Sequence, residues 1–293
     1  MNWREWLIAY RLAIFVGSLA LGNAAIWTAL GAAAEPGQLR VTFFDVGQGD
    51  AIFVETPSGR QVLIDGGPSN RILAKLSAAL GFWDRDLDLV ISTHPDADHL
   101  GGLTDVLQQY RVAAVLETGI RRSVPEAAAF DRAVAASRIP VKFAQAGQLM
   151  DFGDGAVMAV LNPETSVAGE TIDKTNDYGI VNRLIFGHTE YLFTADVTSV
   201  VEGRLVSGGF NLESDVIKIG HHGSKYSSSA PFLNAVHPQI AAVSVGAKNP
   251  YGHPTPEALE RIANVQAKAY RTDERGDVSI ATNGEMLVVQ TER

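Results

Sequence analysis

The stretch Ser92-Thr93-His94-Pro95-Asp96-Ala97-Asp98-His99-Leu100-Gly101-Gly102 decides the reading of this chain. Before it runs Leu87-Asp88-Leu89-Val90-Ile91, apolar enough for a buried strand, and after it a glycine pair opens a helix. Two imidazoles and two carboxylates therefore fall at the carboxyl end of a strand, where α/β sheets place their chemistry. Imidazole nitrogen and carboxylate oxygen are the donors that divalent transition metals use, and four on one short loop need little further ordering to close around an ion. An N-cap of the following helix would account for Asp96 or Asp98, but not for both histidines.

Outward from this loop, other stretches carry the same kind of residue. They are Phe44-Asp45-Val46-Gly47-Gln48-Gly49-Asp50-Ala51, Leu63-Ile64-Asp65-Gly66-Gly67, Phe193-Thr194-Ala195-Asp196, His221-His222-Gly223-Ser224 and Tyr251-Gly252-His253-Pro254. In this order they resemble the metallo-β-lactamase superfamily, whose H-x-H-x-D-H signature is matched by His94 to His99 with Asp96 in place of a histidine. That variant is similar to the soluble domain of the ComEC competence proteins and to the phosphorylcholine esterases. The resemblance covers residues 38 to 290 and implies a four-layer αββα sandwich; periodicity alone supports an α/β class with mixed sheets.

Composition narrows the chemistry. The 293 residues contain no cysteine, which excludes thiolate catalysis, disulfides and cysteine-held zinc. A hydrophobic fraction of 46% with 19% charged residues is ordinary for a globular core, and the net charge of −9 disfavours a broad electrostatic grip on nucleic acid. From Leu12 to Ala34 no residue is charged, Arg4 and Arg11 precede the run, and Ala32-Ala33-Ala34 meets Glu35-Pro36-Gly37. Residues 1–34 thus read as a signal peptide cleaved after Ala34, or as a membrane anchor through residues 7–34, with the catalytic domain at 38–293. Either reading puts that domain on the export side, periplasmic or extracellular.

Along the domain, Leu39 to Asp45, Ala51 to Glu55 and Gln61 to Asp65 alternate as a β meander. Helices are expected at 71–80, 103–110, 125–137, 197–205, 230–236 and 256–263, with strands at 112–117, 156–161, 179–186, 190–194, 215–219, 240–245 and within 269–290. Residues 165–177 read as a long polar loop.

By resemblance, His94, Asp96, Asp98, His99, Asp196 and His221 hold two divalent ions, with Asp196 bridging. Two such ions can share and acidify a hydroxide. His222 would point the other way from His221 on an extended chain, toward a supporting or substrate role. Candidate catalytic residues are Asp98, His222 and His253, the last on a Gly/Pro-framed loop as a substrate contact or proton donor to the leaving group, with a purely structural role as the alternative. Asp65 resembles the aspartate that orients the histidine loop, and Asp45, Asp50 and Asn176 are further supporting candidates. Lys225 and Ser224 are candidates for holding substrate. The glycines of Val46-Gly47-Gln48-Gly49 either bring backbone close to the centre or make a plain turn. His188 in Gly187-His188-Thr189 imitates a superfamily ligand motif, yet its hairpin position marks it as surface.

Fewer imidazoles and more oxygen donors shift one position toward harder ions, so Mn as well as Zn is expected. The expected reaction is hydrolysis of a phosphodiester, single-stranded DNA included, by an enzyme of the ComEC type. A phosphorylcholine-type esterase, or another ester or lactam hydrolase on the export side, is the alternative.

Overall fold

The computed structural model describes Trp3 and residues 37–81 and 83–293, so the expected signal or anchor segment at 1–34 lies, but for Trp3, outside the described residues. From Leu39 onward the chain forms one compact unit.

Its architecture follows from alternation in the strands. In Gln61–Ile64, Val62 and Ile64 face one core and Leu63 another; in Leu89–Ser92, Leu89 and Ile91 divide from Val90 in the same way. A strand apolar on both faces must be covered on both. Here the inner faces of two sheets meet in one core that takes Val41, Ile64 and Ile91 from the first sheet and Met158, Tyr191 and Val216 from the second. The outer face of the first sheet packs Leu63 and Val90 against Ile72 and Leu76 of the helix Arg71–Leu80, and against Phe130 of Pro125–Ser137. The second sheet packs Leu192 and Ile217 against Val201, Phe232 and Ile262 of the helices Ser199–Ser207, Ala230–Val236 and Pro256–Asn264. Three cores between four layers make the αββα sandwich. Each such aliphatic side chain contributes roughly 1.5–3 kcal/mol by leaving water.

Among the described residues the first sheet has eight strands, in the order Leu287–Thr291, Val278–Thr282, Leu39–Phe43, Ile52–Glu55, Gln61–Ile64, Leu89–Ser92, Val115–Glu117, Val141–Phe143. The second has seven, in the order Lys268–Arg271, Ile240–Val243, Val216–Lys218, Thr189–Phe193, Val181–Phe186, Ala156–Asn162, Leu149–Asp151. Both are mixed. Val278–Thr282 returns to pair antiparallel with Leu39–Phe43, so the last strands of the chain complete the first sheet.

The helices at 125–137 and 230–236 occupy the expected residues, and Thr255 caps Pro256–Asn264 by accepting from the Ala258 amide at 3.3 Å. Two strands, Val141–Phe143 and Leu149–Asp151, were not expected. Both lie at sheet edges and are largely exposed, so neither carries the apolar alternation that marks a strand.

Candidate metal centre

The strands Gln61–Ile64, Leu89–Ser92, Thr189–Phe193 and Val216–Lys218 end at one side of the sandwich, delivering Asp65, His94, Asp196 and the His221-His222 pair. Asp50 joins them from the turn before Ile52–Glu55.

Within this group the first hub is Asp65. One carboxylate oxygen accepts from the Thr93 amide at 2.8 Å; the other accepts from the Thr93 hydroxyl at 2.7 Å and from His99 Nδ1 at 2.8 Å. Because the Thr93 hydroxyl donates to Asp65, it receives the Nδ1 proton of His94, 3.0 Å away. His222 Nδ1 donates to the Ser244 carbonyl at 2.9 Å. Three buried rings therefore have Nδ1 committed to the protein, which turns Nε2 of each inward as the available donor. His99 Nε2 and His222 Nε2 both lie 3.2 Å from Asp196 Oδ2, and His222 Nε2 lies 3.2 Å from Asp98 Oδ2.

Asp98, His99, Asp196 and His222 thus place one donor atom each within 4.8 Å of the others. Buried polar atoms without a hydrogen-bond partner gather here: His94 Nε2, His99 Nε2 and Asp50 Oδ1. Buried polar atoms are normally satisfied. Inward-facing imidazole nitrogens and carboxylate oxygens, unpaired in a buried cluster, fit a divalent cation.

Electrostatics point the same way. Burial pushes the His94 imidazole down to about 4, with His99 adding repulsion, so its Nε2 is bare at neutral pH. Burial also opposes charge on His99, but Asp196, Asp65, Asp50 and Asp98 hold its pKa well above the ordinary value; for His222, Asp196 and Asp50 overcome burial. Asp196 is held well below the carboxylate range against burial by His222, His99 and Lys218. A cation entering such a site releases protons from the rings that receive it.

Lys218 is a participant that sequence reasoning missed. Fully buried, its ammonium pairs with Asp50, lies 3.2 Å from Asp196 Oδ1 and donates to the Ala195 carbonyl at 2.6 Å. A second acidic group, Asp50, Asp65 and His99, could also hold an ion by proximity. There, however, Asp50 already has the ammonium and Asp65 already has Thr93 and His99. The signal was present in the sequence: a lysine inside the apolar run Val216-Ile217-Lys218-Ile219.

The histidine pair differs from expectation. Neither residue is extended: His221 has φ 50° and His222 φ 54°, in a turn flanked by Gly220 and Gly223. Strand alternation does not apply, and it is His222 that enters the cluster. His221 stands at its rim, 3.8 Å from Asp196 Oδ2 and about a third exposed. Asp65 and Ala195 also have positive φ, so four left-handed non-glycine residues surround the centre. Such conformations persist where surrounding contacts over-determine them.

Asp96 sits before the helical turn Ala97–Leu100, but its side chain makes no cap bond. It pairs with Arg122 and accepts from the Thr175 hydroxyl at 2.8 Å, while Asp96 Oδ2 lies 3.8 Å from His94 Nε2. Asn176 occupies the same 3-10 turn as Thr175, and the turn reaches the metal loop through Thr175 instead. Asp45 is not brought to the cluster: its amide donates to Asp277 and its carboxylate accepts from Arg293, both at 2.7 Å. The Ser224 hydroxyl accepts from the Tyr226 amide at 3.3 Å, a local turn contact, and Lys225 is exposed with its ammonium over the Tyr226 ring. His253 packs edge-on to His221, 5.7 Å between centroids. His188 is exposed at the hairpin turn.

For the glycines, the close-approach reading holds at Gly49. A Cβ there would meet the Asp98 carbonyl oxygen at 2.1 Å, and the adjacent Asp50 amide donates to that oxygen at 3.2 Å.

Comparison with known proteins adds four matches. The family model of the metallo-beta-lactamase superfamily matches residues 44–247. ComE operon protein 3 of Bacillus subtilis is 28% identical over 257 residues, covering 81% of this chain and 32% of that protein. Competence protein ComA of Neisseria gonorrhoeae is 34% identical over 241 residues, covering 80% of this chain and 31% of that protein. The chain therefore spans about a third of the length of the curated relatives it matches. Among solved structures, a mutant of the CmlA β-hydroxylase is similar in fold, with a TM-score of 0.54 at 17% identity over 84% of this chain and 54% of that one.

Proposed function

This chain belongs to the metallo-β-lactamase superfamily, and from that premise we propose that it is a metal-dependent phosphodiesterase acting on nucleic acid. The observation that carries the reading is the inward-facing set of Asp98, His99, Asp196 and His222, with His94 Nε2 unpaired beside it.

In this reading His94, Asp96, Asp98, His99, Asp196 and His222 hold one or two divalent cations, Zn or Mn, with His221 at the rim. Bound there, the metal supplies Lewis acidity, which lowers the pKa of water toward neutrality and offsets charge on a phosphoryl oxygen. The protein's own share is positioning. Asp65 fixes His99 and, through Thr93, His94; Lys218 fixes Asp196; Arg122 and Thr175 fix Asp96. In this reading His253, partly exposed beside His221, would protonate a leaving alkoxide; burial followed by repulsion from His221 lowers its pKa, so it gives up its proton more readily when charged.

Two lines favour a phosphodiester over a lactam. Asp96 replaces an imidazole by an oxygen donor held by Arg122, and one relative is named a competence protein, in keeping with the resemblance to the ComEC type. The predicted export or anchor segment would place the reaction outside the cytoplasm, in keeping with that reading.

The test uses the full chain with Mn²⁺ or Zn²⁺ on bis-p-nitrophenyl phosphate, single-stranded DNA, a phosphorylcholine ester and nitrocefin. Hydrolysis of the first two, lost in His94→Ala and in chelator, supports the proposal. Turnover of nitrocefin alone, or of phosphorylcholine esters alone, overturns it.

A further inference from the structure

Aromatic rings form an unbroken path from the buried centre to the surface. His99 lies 5.4 Å from His222, His222 lies 6.1 Å from His221, and His221 lies 5.7 Å from His253. The path ends at Tyr251, whose ring stacks on His253 at 5.8 Å and 27° while remaining 65% exposed. All four spacings are those of rings in contact.

An exposed tyrosine alone needs no explanation. This one, however, sits on a loop built to hold it still. Asn249 Nδ2 donates to the carbonyls of Gly246 at 2.9 Å and His253 at 2.7 Å, and Asn249 Oδ1 accepts from the backbone amides of Tyr251 at 3.2 Å and His253 at 3.0 Å. Both ends of the loop are fastened to the centre's own segments. Gly246 donates to Gln48 at 3.2 Å, and Thr255 donates at 2.9 Å to Gly223, next to the histidine pair. With position already fixed, little entropy remains to be lost when a flat group settles on the outer face of Tyr251.

We propose that Tyr251 is a stacking platform for a nucleobase flanking the scissile phosphate, so that the substrate is a single-stranded nucleic acid. The inference rests on the phosphodiesterase reading and assigns a substrate class to the same site. A chain of net charge −9 grips a phosphate backbone weakly, which leaves base stacking to supply affinity. Every base has a π-face, so the platform is tolerant of sequence. A base inside a duplex is already stacked and does not reach it.

The experiment measures KM and kcat of the metal-loaded full chain on an oligothymidylate and on an abasic oligomer of equal length, with bis-p-nitrophenyl phosphate alongside. The wild-type KM should be about tenfold lower for the oligothymidylate, Tyr251→Ala should raise that KM about tenfold without raising the abasic one, and Tyr251→Phe should retain the low value. If the wild type cleaves both oligomers with equal KM, or Tyr251→Ala raises both alike, the platform is refuted while the phosphodiesterase reading stands. If the wild type hydrolyses bis-p-nitrophenyl phosphate but neither oligomer, the platform is refuted; if it cleaves none of the three, both readings fall.

Discussion

The ammonium of Lys218 stands 3.2 Å from Asp196 Oδ1, while Asp196 Oδ2 faces His99 and His222 at 3.2 Å each. The two carboxylate oxygens thus have separate tasks, one tied to a fixed internal cation and the other presented to the imidazoles. Removing the ammonium leaves Asp50 and Asp196 buried beside each other with only His99 and His222 to offset their charge. Lys218→Met should therefore destabilise the metal-free protein by about 3–5 kcal/mol, read from urea denaturation at pH 7. A loss below 1 kcal/mol would mean that the pairing has no energetic weight.

Asp65 binds two parts of the metal loop at once, Thr93 and His99. Asp65→Ala removes the acceptor that fixes the His99 ring and, through Thr93, the His94 ring. Outer partners of this kind are worth about 10–100-fold in metal affinity. Calorimetric titration with Zn²⁺ should show that loss, with Asp65→Asn intermediate, since an amide oxygen can still accept from Thr93.

How far the chain announced its fold depends on the range over which each signal acts. The apolar runs in Gln61–Ile64 and Leu89–Ser92 are local and mark buried strands, whereas the four layers follow from the family resemblance, periodicity alone supporting an α/β class with mixed sheets. The edge strands Val141–Phe143 and Leu149–Asp151 bury too little to leave that trace. In the site, the donors His94, Asp98, His99 and Asp196 stood out because their neighbours fix their place at strand ends. Asp50 is a supporting candidate on its glycine turn, and Lys218 interrupts an apolar run, but their pairing joins residues distant in sequence that no spacing rule connects. The His221-His222 pair departs from the extended-chain expectation for a different reason: Gly220 and Gly223 frame a turn there, and positive φ turns the His222 ring into the cluster.

Gly49 lets two segments of the centre touch. Its φ of +135° suits glycine, and a Cβ would sit 2.1 Å from the Asp98 carbonyl, a backbone atom that cannot swing aside. Gly49→Ala should cost roughly 3 kcal/mol or more in stability and push the Asp98 segment away from Asp50. Weaker metal binding in the surviving folded fraction, measured by titration, would accompany the lowered midpoint.

Glu117 ends the strand Val115–Glu117 in a cavity of about 250 Å³ that Pro95 of the metal loop also lines. Burial, with repulsion from Asp131, raises its pKa from 4.5 to about 7. Below pH 4.5 both folded and unfolded chains carry the proton, and the group contributes nothing to stability. Between there and pH 7 the unfolded chain has released it and the folded chain has not, so rising pH favours unfolding; above pH 7 the penalty is complete. Glu117→Gln removes that penalty. The variant should match the wild type at pH 4 and exceed it at pH 8 by up to about 3 kcal/mol, as read from denaturant midpoints at the two pH values. A difference that stays constant across that interval would show that the carboxyl titrates in the folded protein as it does in the unfolded chain.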